Sequence, residues 1–196
     1  MSTKEELTLK HIKDSIHVKE LLIASSLKTI TRIADEIVSA YQKGNKVVWF
    51  GNGGSAADAQ HMSSELLGKF YIKRGALGSI ALTTNTSVLT AIANDYEFSE
   101  MFSRQVEALV NQGDIVVGIS TSGKSTNVLR GIEQAKQKGA ITVAFTGAIG
   151  GKLKAVADYL MVVPSTETPR IQEAHIMIGH IICYLVEKEI FGENAE

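Results

Sequence analysis

Residues 46–67 read KVVWFGNGGSAADAQHMSSELL, and the architecture can be worked outward from them. A short apolar run, Lys46–Phe50, enters a glycine loop, Gly51-Asn52-Gly53-Gly54, and the loop opens into a helical pattern over Ser55–Leu67. The same unit recurs downstream. β-branched or apolar runs stand at Ser79–Leu82, Asp114–Ile119, Ile141–Phe145 and Tyr159–Val163. Between them lie helical patterns at Thr86–Ala93, Met101–Val110 and Asn127–Lys138, with a short turn near Leu153, and Thr168–Phe191 closes the chain. Strands that alternate with helices pair in parallel through right-handed crossovers. Near-continuous apolar strands such as IVVGI suit a sheet covered on both faces. The expected fold is therefore α/β, a three-layer sandwich around a five-stranded parallel sheet. Residues 6–22 and 24–43 precede it as two amphipathic helices, with Leu21, Leu22, Leu27, Ile30, Ile33, Ile37 and Val38 forming apolar stripes. In such sheets ligands bind beyond the carboxyl ends of the strands.

A chain of 196 residues is expected to form one domain over 1–196, with 1–43 as a helical extension. Hydrophobic residues at 44% and charged residues at 21% exclude a disordered or collagen-like chain. A net charge of −1 gives no electrostatic footprint for nucleic acid or an anionic membrane. The one cysteine, Cys183, has no intrachain partner and sits in an apolar helical stretch, which fits a small buried hydrophobe in a reducing compartment. The charged N-terminal stretch lacks the apolar core of a signal peptide, and no apolar run reaches membrane-spanning length. The expected location is cytoplasmic.

Two glycine loops invite nucleotide readings. Gly51-Asn52-Gly53-Gly54-Ser55-Ala56 matches G-x-G-x-x-A, but the second strand ends in Leu82-Thr83-Thr84-Asn85, with no acid to hold a ribose. Locally, Ser55 reads as the helix N-cap, with Asp58 completing a capping box. Asn52 and the free glycines also offer N–H groups to an anion at a helix start. Gly118–Ser125 matches the P-loop pattern G-x-x-x-x-G-K-[ST] between a strand and a helix. A P-loop enzyme also needs a strand ending in an aspartate for magnesium, and the later strands end in Thr-Gly and Pro-Ser. The hydroxyls of Ser120, Thr121, Ser122 and Ser125 suit the single terminal phosphate of a sugar phosphate.

His61 and Glu65 lie four apart and project from one helix face, a spacing that can ligate a divalent metal or simply form a solvated pair. On the last helix Gln172 and His180 fall about 80° apart among isoleucines, one polar stripe in an apolar surface. His175 is the rival ligand on that helix, and spacing does not exclude it.

Four stretches carry a resemblance: GNGGSAADAQHMSSEL (51–66), LTAIANDYEFSEMFSRQV (89–106), GDIVVGISTSGKSTNV (113–128) and RIQEAHIMIGHIICYLVE (170–187). In these the chain resembles the sugar isomerase (SIS) family, and within it the phosphoheptose isomerases. The resemblance implies isomerisation of sedoheptulose 7-phosphate to D-glycero-D-manno-heptose 7-phosphate, on the route to lipopolysaccharide. It implies that Asn52, Gly53, Gly54, Asn94 and Asp95 touch substrate, and that Ser120, Thr121, Ser122 and Ser125 hold the phosphate. It implies one zinc ion per subunit at His61, Glu65, Gln172 and His180, with Gln172 and Glu65 also at the substrate, and Glu65 and His180 as acid–base groups. It implies a homotetramer with sites at subunit contacts. Some members carry arginine and aspartate where this chain has Lys69 and Pro169; Thr168-Pro169 here reads as an N-cap followed by proline at the first helical position. Family adaptors that bind a replication initiator are similar throughout but lack the residues matching Glu65 and His180, and both are present here.

Overall fold

The computed structural model describes residues 2–192; residue 1 and residues 193–196 of the expected domain lie outside the described residues. Two leading helices, α1 (Thr3–Ser25) and α2 (Leu27–Gln42), are followed by the alternation β1 (Val47–Gly51), α3 (Gly54–Leu67), β2 (Ser79–Ala81), α4 (Thr86–Asp95), α5 (Ser103–Leu109), β3 (Ile115–Ile119), α6 (Thr126–Gln137), β4 (Ile141–Gly147), β5 (Tyr159–Val163) and α7 (Thr168–Phe191). The strands form one five-stranded parallel sheet in the order β2-β1-β3-β4-β5. The expected α/β architecture is the one observed. Of the predicted helix 101–110 only Ser103–Leu109 is α-helical, as α5, and a 3-10 turn at Phe98–Glu100 precedes it.

Alternation along each strand feeds two separate cores. Val47, Trp49, Ile115, Val117, Ile119, Val143 and Phe145 pack with α2, α3 and α7 on one face. Val48, Phe50, Val116 and Ala144 point the other way, into α5 and α6. β1 and β3 are buried along their whole length, which is why their sequences are apolar without a polar alternate. The one tryptophan is fully buried, and its Nε1–H donates to Ser79 Oγ at 3.1 Å across the β1–β2 pair.

The α2 stripe of Ile30, Ile33, Ile37 and Val38 is buried. In α1 only Val18 and Leu22 are, and Leu7, Ile12, Ile16 and Ile23 are exposed, with Leu21 and Leu27 exposed near the junction with α2. No described helix is long and apolar enough to cross a membrane. Cys183 is buried, and burial pushes its thiol up to about 12, so it is a packing residue.

Candidate active site

The chain leaves β1, forms β2 on one side of it, and returns to form β3 on the other. That reversal is a topological switch point, where adjacent strands send their connections to opposite faces and leave a crevice at their carboxyl ends. β1 and β3 are hydrogen-bonded from Val47↔Ile115 to Gly51↔Ile119, so the two glycine loops emerge side by side at this crevice. A Cβ on Gly51 would lie 2.9 Å from the carbonyl oxygen of Ile119, so only glycine lets the first loop pass that close to β3.

The start of α3 departs from the sequence expectation. Gly53, not Ser55, is the N-cap, at φ +56°, and no side chain caps the helix. The amides of Ser55 and Ala56 are already satisfied by the carbonyls of Asn52 and Gly53, at 3.0 Å each. Ser55 is buried in the first turn, and Asp58 makes no capping bond. Its Oδ2 is buried without a partner, and burial raises its carboxyl to about 6. At α7 the N-cap is Glu167, one residue before the expected Thr168, and it too lacks a side-chain cap bond.

The serine loop is held from below. Ser120 donates its amide to Phe145 O at 2.9 Å, and its hydroxyl lies 3.0 Å from that of Ser125. Thr121 O accepts from Gly147, and Gly123 O accepts from Lys152. Gly123 has φ +64°, and a Cβ there would meet Gly150 O at 2.2 Å. Ser122 accepts from the backbone N–H of Lys124, whose side chain is exposed. Asn127, read from the sequence as an ordinary first helical residue, joins the two loops. It is 2% exposed and exchanges side-chain hydrogen bonds with Asn52, at 2.9 and 2.8 Å. Partners 75 residues apart leave no local signal in the sequence.

α3 and α7 run side by side in the same direction. Gln172 lies against Gly54, and Gly179 against Met62 a little further along both helices. A Cβ on Gly179 would lie 2.1 Å from Met62 Sδ, so this glycine sets the closest approach of the two helices. The neighbours of that contact are His61 and His180. His61 Nε2 lies 2.9 Å from Glu65 Oε1 and 3.4 Å from His180 Nε2. One donor atom from each of the three residues falls within 4.8 Å of the others, a group that can hold a metal ion. Two imidazole nitrogens facing each other can share one proton between them, or both turn a lone pair toward a cation placed in the gap. Gln172 reaches the start of α3, two turns from His180 along α7. The Phe70 ring stacks on His180 with centroids 5.6 Å apart. A cleft of about 440 Å³, lined by Phe70, Tyr71, His180, Ile181 and Tyr184, opens beside the cluster.

His175, the rival, belongs to the core. It is 1% exposed, packs against Phe145, and its Nε2 lies 3.3 Å from Thr146 O. Burial lowers its pKa to about 4 and keeps it neutral. Asn94 and Asp95 are exposed at the end of α4, where the Asn94 amide donates to Asp95 at 2.8 Å; their side chains pair with each other rather than with the serine loop. Lys69 is exposed in the connection after α3.

Residues 10–147 match the family model described as SIS domain. The chain is 54% identical over 183 residues to the phosphoheptose isomerase of Aneurinibacillus thermoaerophilus, covering 92% of each chain. It is 52% identical over 186 residues to phosphoheptose isomerase 2 of Campylobacter jejuni, covering 94% of this chain and 92% of the relative. The solved structure of phosphoheptose isomerase from Neisseria gonorrhoeae superposes with a TM-score of 0.90 at 40% identity, covering 95% of this chain and all of that one. Five parallel strands, two loops at their switch point and full-length identity of this order agree, and the chain belongs to the phosphoheptose isomerases of the SIS family.

Proposed function

We propose that the protein converts sedoheptulose 7-phosphate into D-glycero-D-manno-heptose 7-phosphate. The observation that carries this reading is the meeting of His61, Glu65 and His180 on two helices that begin beside a hydroxyl-rich anion loop. Ser120, Thr121, Ser122 and Ser125 take the phosphate. Asn52, Gly53 and Gly54, with Asn94 and Asp95, take the sugar hydroxyls. The ketose then extends toward the cluster, where Glu65 removes a proton from C1 and returns it to C2. His180 supplies the proton that the C2 oxygen needs and accepts the one leaving the C1 hydroxyl, so the enediol intermediate closes to an aldehyde with no net proton change. His61, Glu65, Gln172 and His180 would hold one zinc ion, whose nitrogen and oxygen ligands suit a catalytic site. Bound there, the ion would supply a Lewis acid for the carbonyl oxygen.

The working form is a homotetramer in a single-domain design, located in the cytoplasm, with residues 1–43 packing on their own domain and on neighbouring subunits. Exposed Leu7, Ile12, Ile16 and Ile23 on α1 support this assembly, as does His61, whose side chain is 47% exposed in the single subunit. The adaptor alternative leaves Glu65 and His180 without a role.

The test is direct. Purified protein with sedoheptulose 7-phosphate should yield the aldose, with solvent deuterium entering at the exchanging carbon. Glu65→Gln should assemble and bind sugar phosphate but lose about 10²–10⁴-fold in kcat. Metal content is measured on the same samples, because a carboxamide is the weaker ligand. A fully metallated Glu65→Gln protein with normal turnover would falsify the role of Glu65.

A further inference from the structure

We propose that the buried ion pair of Arg74 and Glu187 is a positioning device that holds Glu65 and His180 in register, acting through the 68–75 connection and the Phe70 ring. The proposal rests on the reading above, in which Glu65 and His180 are the acid–base pair.

Glu187, on the last turns of α7, gathers the connection that follows α3. Its Oε2 accepts from the Phe70 amide at 3.0 Å and from Arg74 Nε at 2.9 Å. Its Oε1 accepts from Tyr71 and Ile72 at 2.7 and 3.2 Å. Three consecutive amides on one carboxylate fix the path of the chain across the end of α7. Burial pushes the Glu187 carboxyl up, but these amides and Arg74 outweigh it and leave the pKa below the ordinary value. The group is an anion at neutral pH.

Arg74 performs the matching task at the end of α3. Nη2 donates to Glu65 O at 2.8 Å and Nη1 to Leu66 O at 2.8 Å. Nη1 also reaches Gly68 O and Gly75 O, at 3.3 and 2.9 Å. The last carbonyls of a helix have no intrahelical partner, and a cation there also meets the negative end of the helix dipole. One of those carbonyls is the backbone of Glu65 itself. The opposite end of the same short connection carries Phe70, which stacks on His180 at an interplanar angle of 29°. One ion pair thus fixes the backbone of one acid–base residue and the ring covering the other.

Stability alone is a weak reason for this arrangement. The side chains are 1% and 3% exposed, and an apolar pair of the same size often does as well in a protein interior. The planar fork of arginine and the two-oxygen carboxylate supply direction, which an apolar pair does not.

The experiment compares wild type with Glu187→Gln, Arg74→Lys and Phe70→Leu, each as the intact, metallated protein. Two quantities are read: kcat against KM for sedoheptulose 7-phosphate, and the His180 Cε1–H resonance in histidine-labelled protein, assigned with His180→Gln. All three variants should lose about 10–100-fold in kcat at near-constant KM, the range seen when partners of active-site ligands are removed. Glu187→Gln and Phe70→Leu should also shift the His180 resonance downfield as the ring current of Phe70 is lost. A folded Glu187→Gln protein with a lower Tm but wild-type kcat and His180 resonance would overturn the proposal and leave a structural ion pair. Should Glu187→Gln fail to fold, Phe70→Leu decides, and unchanged kcat and resonance there overturn it equally. If wild type shows no isomerisation, the functional reading fails. The resonance then decides the positioning claim alone: a shift in Glu187→Gln, which keeps the Phe70 ring, sustains it and no shift overturns it.

Discussion

Asn52 and Asn127 face each other as a closed amide pair, each side chain donating to the other across the crevice between the two loops. Asn127 Oδ1 also accepts from the Val128 amide at 2.9 Å, which fixes which end of the amide points where. The first loop's asparagine is thus aligned by the helix that follows the second loop. Asn127→Ala leaves the Asn52 amide without its partner, and a lost buried hydrogen bond of this kind costs about 1–3 kcal/mol. The expected result is a kcat/KM lowered by about 10–100-fold. Asn127→Asp keeps the acceptor and loses the donor, and should fall between. Steady-state kinetics on sugar phosphate separates the three proteins.

In the serine loop, Ser120→Ala removes a hydroxyl paired with Ser125. Sugar-phosphate affinity should drop by about 1–3 kcal/mol, the value of a hydrogen bond to a charged acceptor. ATP should bind negligibly to wild type, and Lys124→Ala should not alter sugar-phosphate affinity, since Lys124 meets the loop through its backbone. Calorimetric titration with both ligands reads all of this.

Gly179→Ala places a methyl group on Met62 Sδ. Met62 is 1% exposed and has little room to give, so overpacking should cost about 1–3 kcal/mol in stability. Spreading α3 from α7 should also weaken metal uptake by His61 and His180. Met62→Ala in the same chain should recover part of the loss, because contacting positions are not additive. Urea denaturation and metal titration measure the two effects.

His175 sets an acid limit. Its folded pKa is about 4 against an ordinary 6.5. Between those values the unfolded chain binds a proton that the folded chain refuses, so stability falls as pH falls, by about 3 kcal/mol across the window. Asp58 acts in the opposite sense. Its folded pKa of about 6 lies above the ordinary 3.8, so the folded chain takes its proton first and gains stability as pH falls. The bulk acid profile therefore mixes these two opposed effects with those of Glu187 and Asp158, whose carboxyls are held below the ordinary range and lose their contribution as pH falls. Comparing wild type with His175→Gln isolates the histidine: the variant should lose about 3 kcal/mol less between pH 6.5 and 4 in urea denaturation.

The central strands β1 and β3 are legible because they are buried along their whole length and so are written as apolar runs; the edge strand Tyr159–Val163 is only partly buried, yet its apolar run marks it to the residue. The pairing of His61 with Glu65 followed from helical spacing, and both meet His180. What the sequence hid has one physical origin. The Gly53 cap depends on a backbone angle, the Asn52–Asn127 clamp joins residues 75 apart, and Arg74 meets Glu187 across 113. None of these leaves a period or a local motif. His175 and His180 sit among the same isoleucines, and the exposed face of α7 is itself apolar, with Ile181 and Tyr184, so a helical wheel does not tell them apart.

The convergence of helix starts at the crevice has an electrostatic consequence. α3 and α6 begin directly beyond the two loops, and the first turns of α7 lie against Gly54, so three positive helix ends point toward one place. On the phosphate assignment proposed above, the anion is held by dipoles and hydroxyls, groups that neither titrate near neutrality nor attract counter-ions as a lysine cluster does. The groups that hold the phosphate then add no titration of their own, and the ligand brings its own. A phosphate monoester takes its second charge near pH 6, so affinity should climb through that region and level off above it, with little change as salt is added.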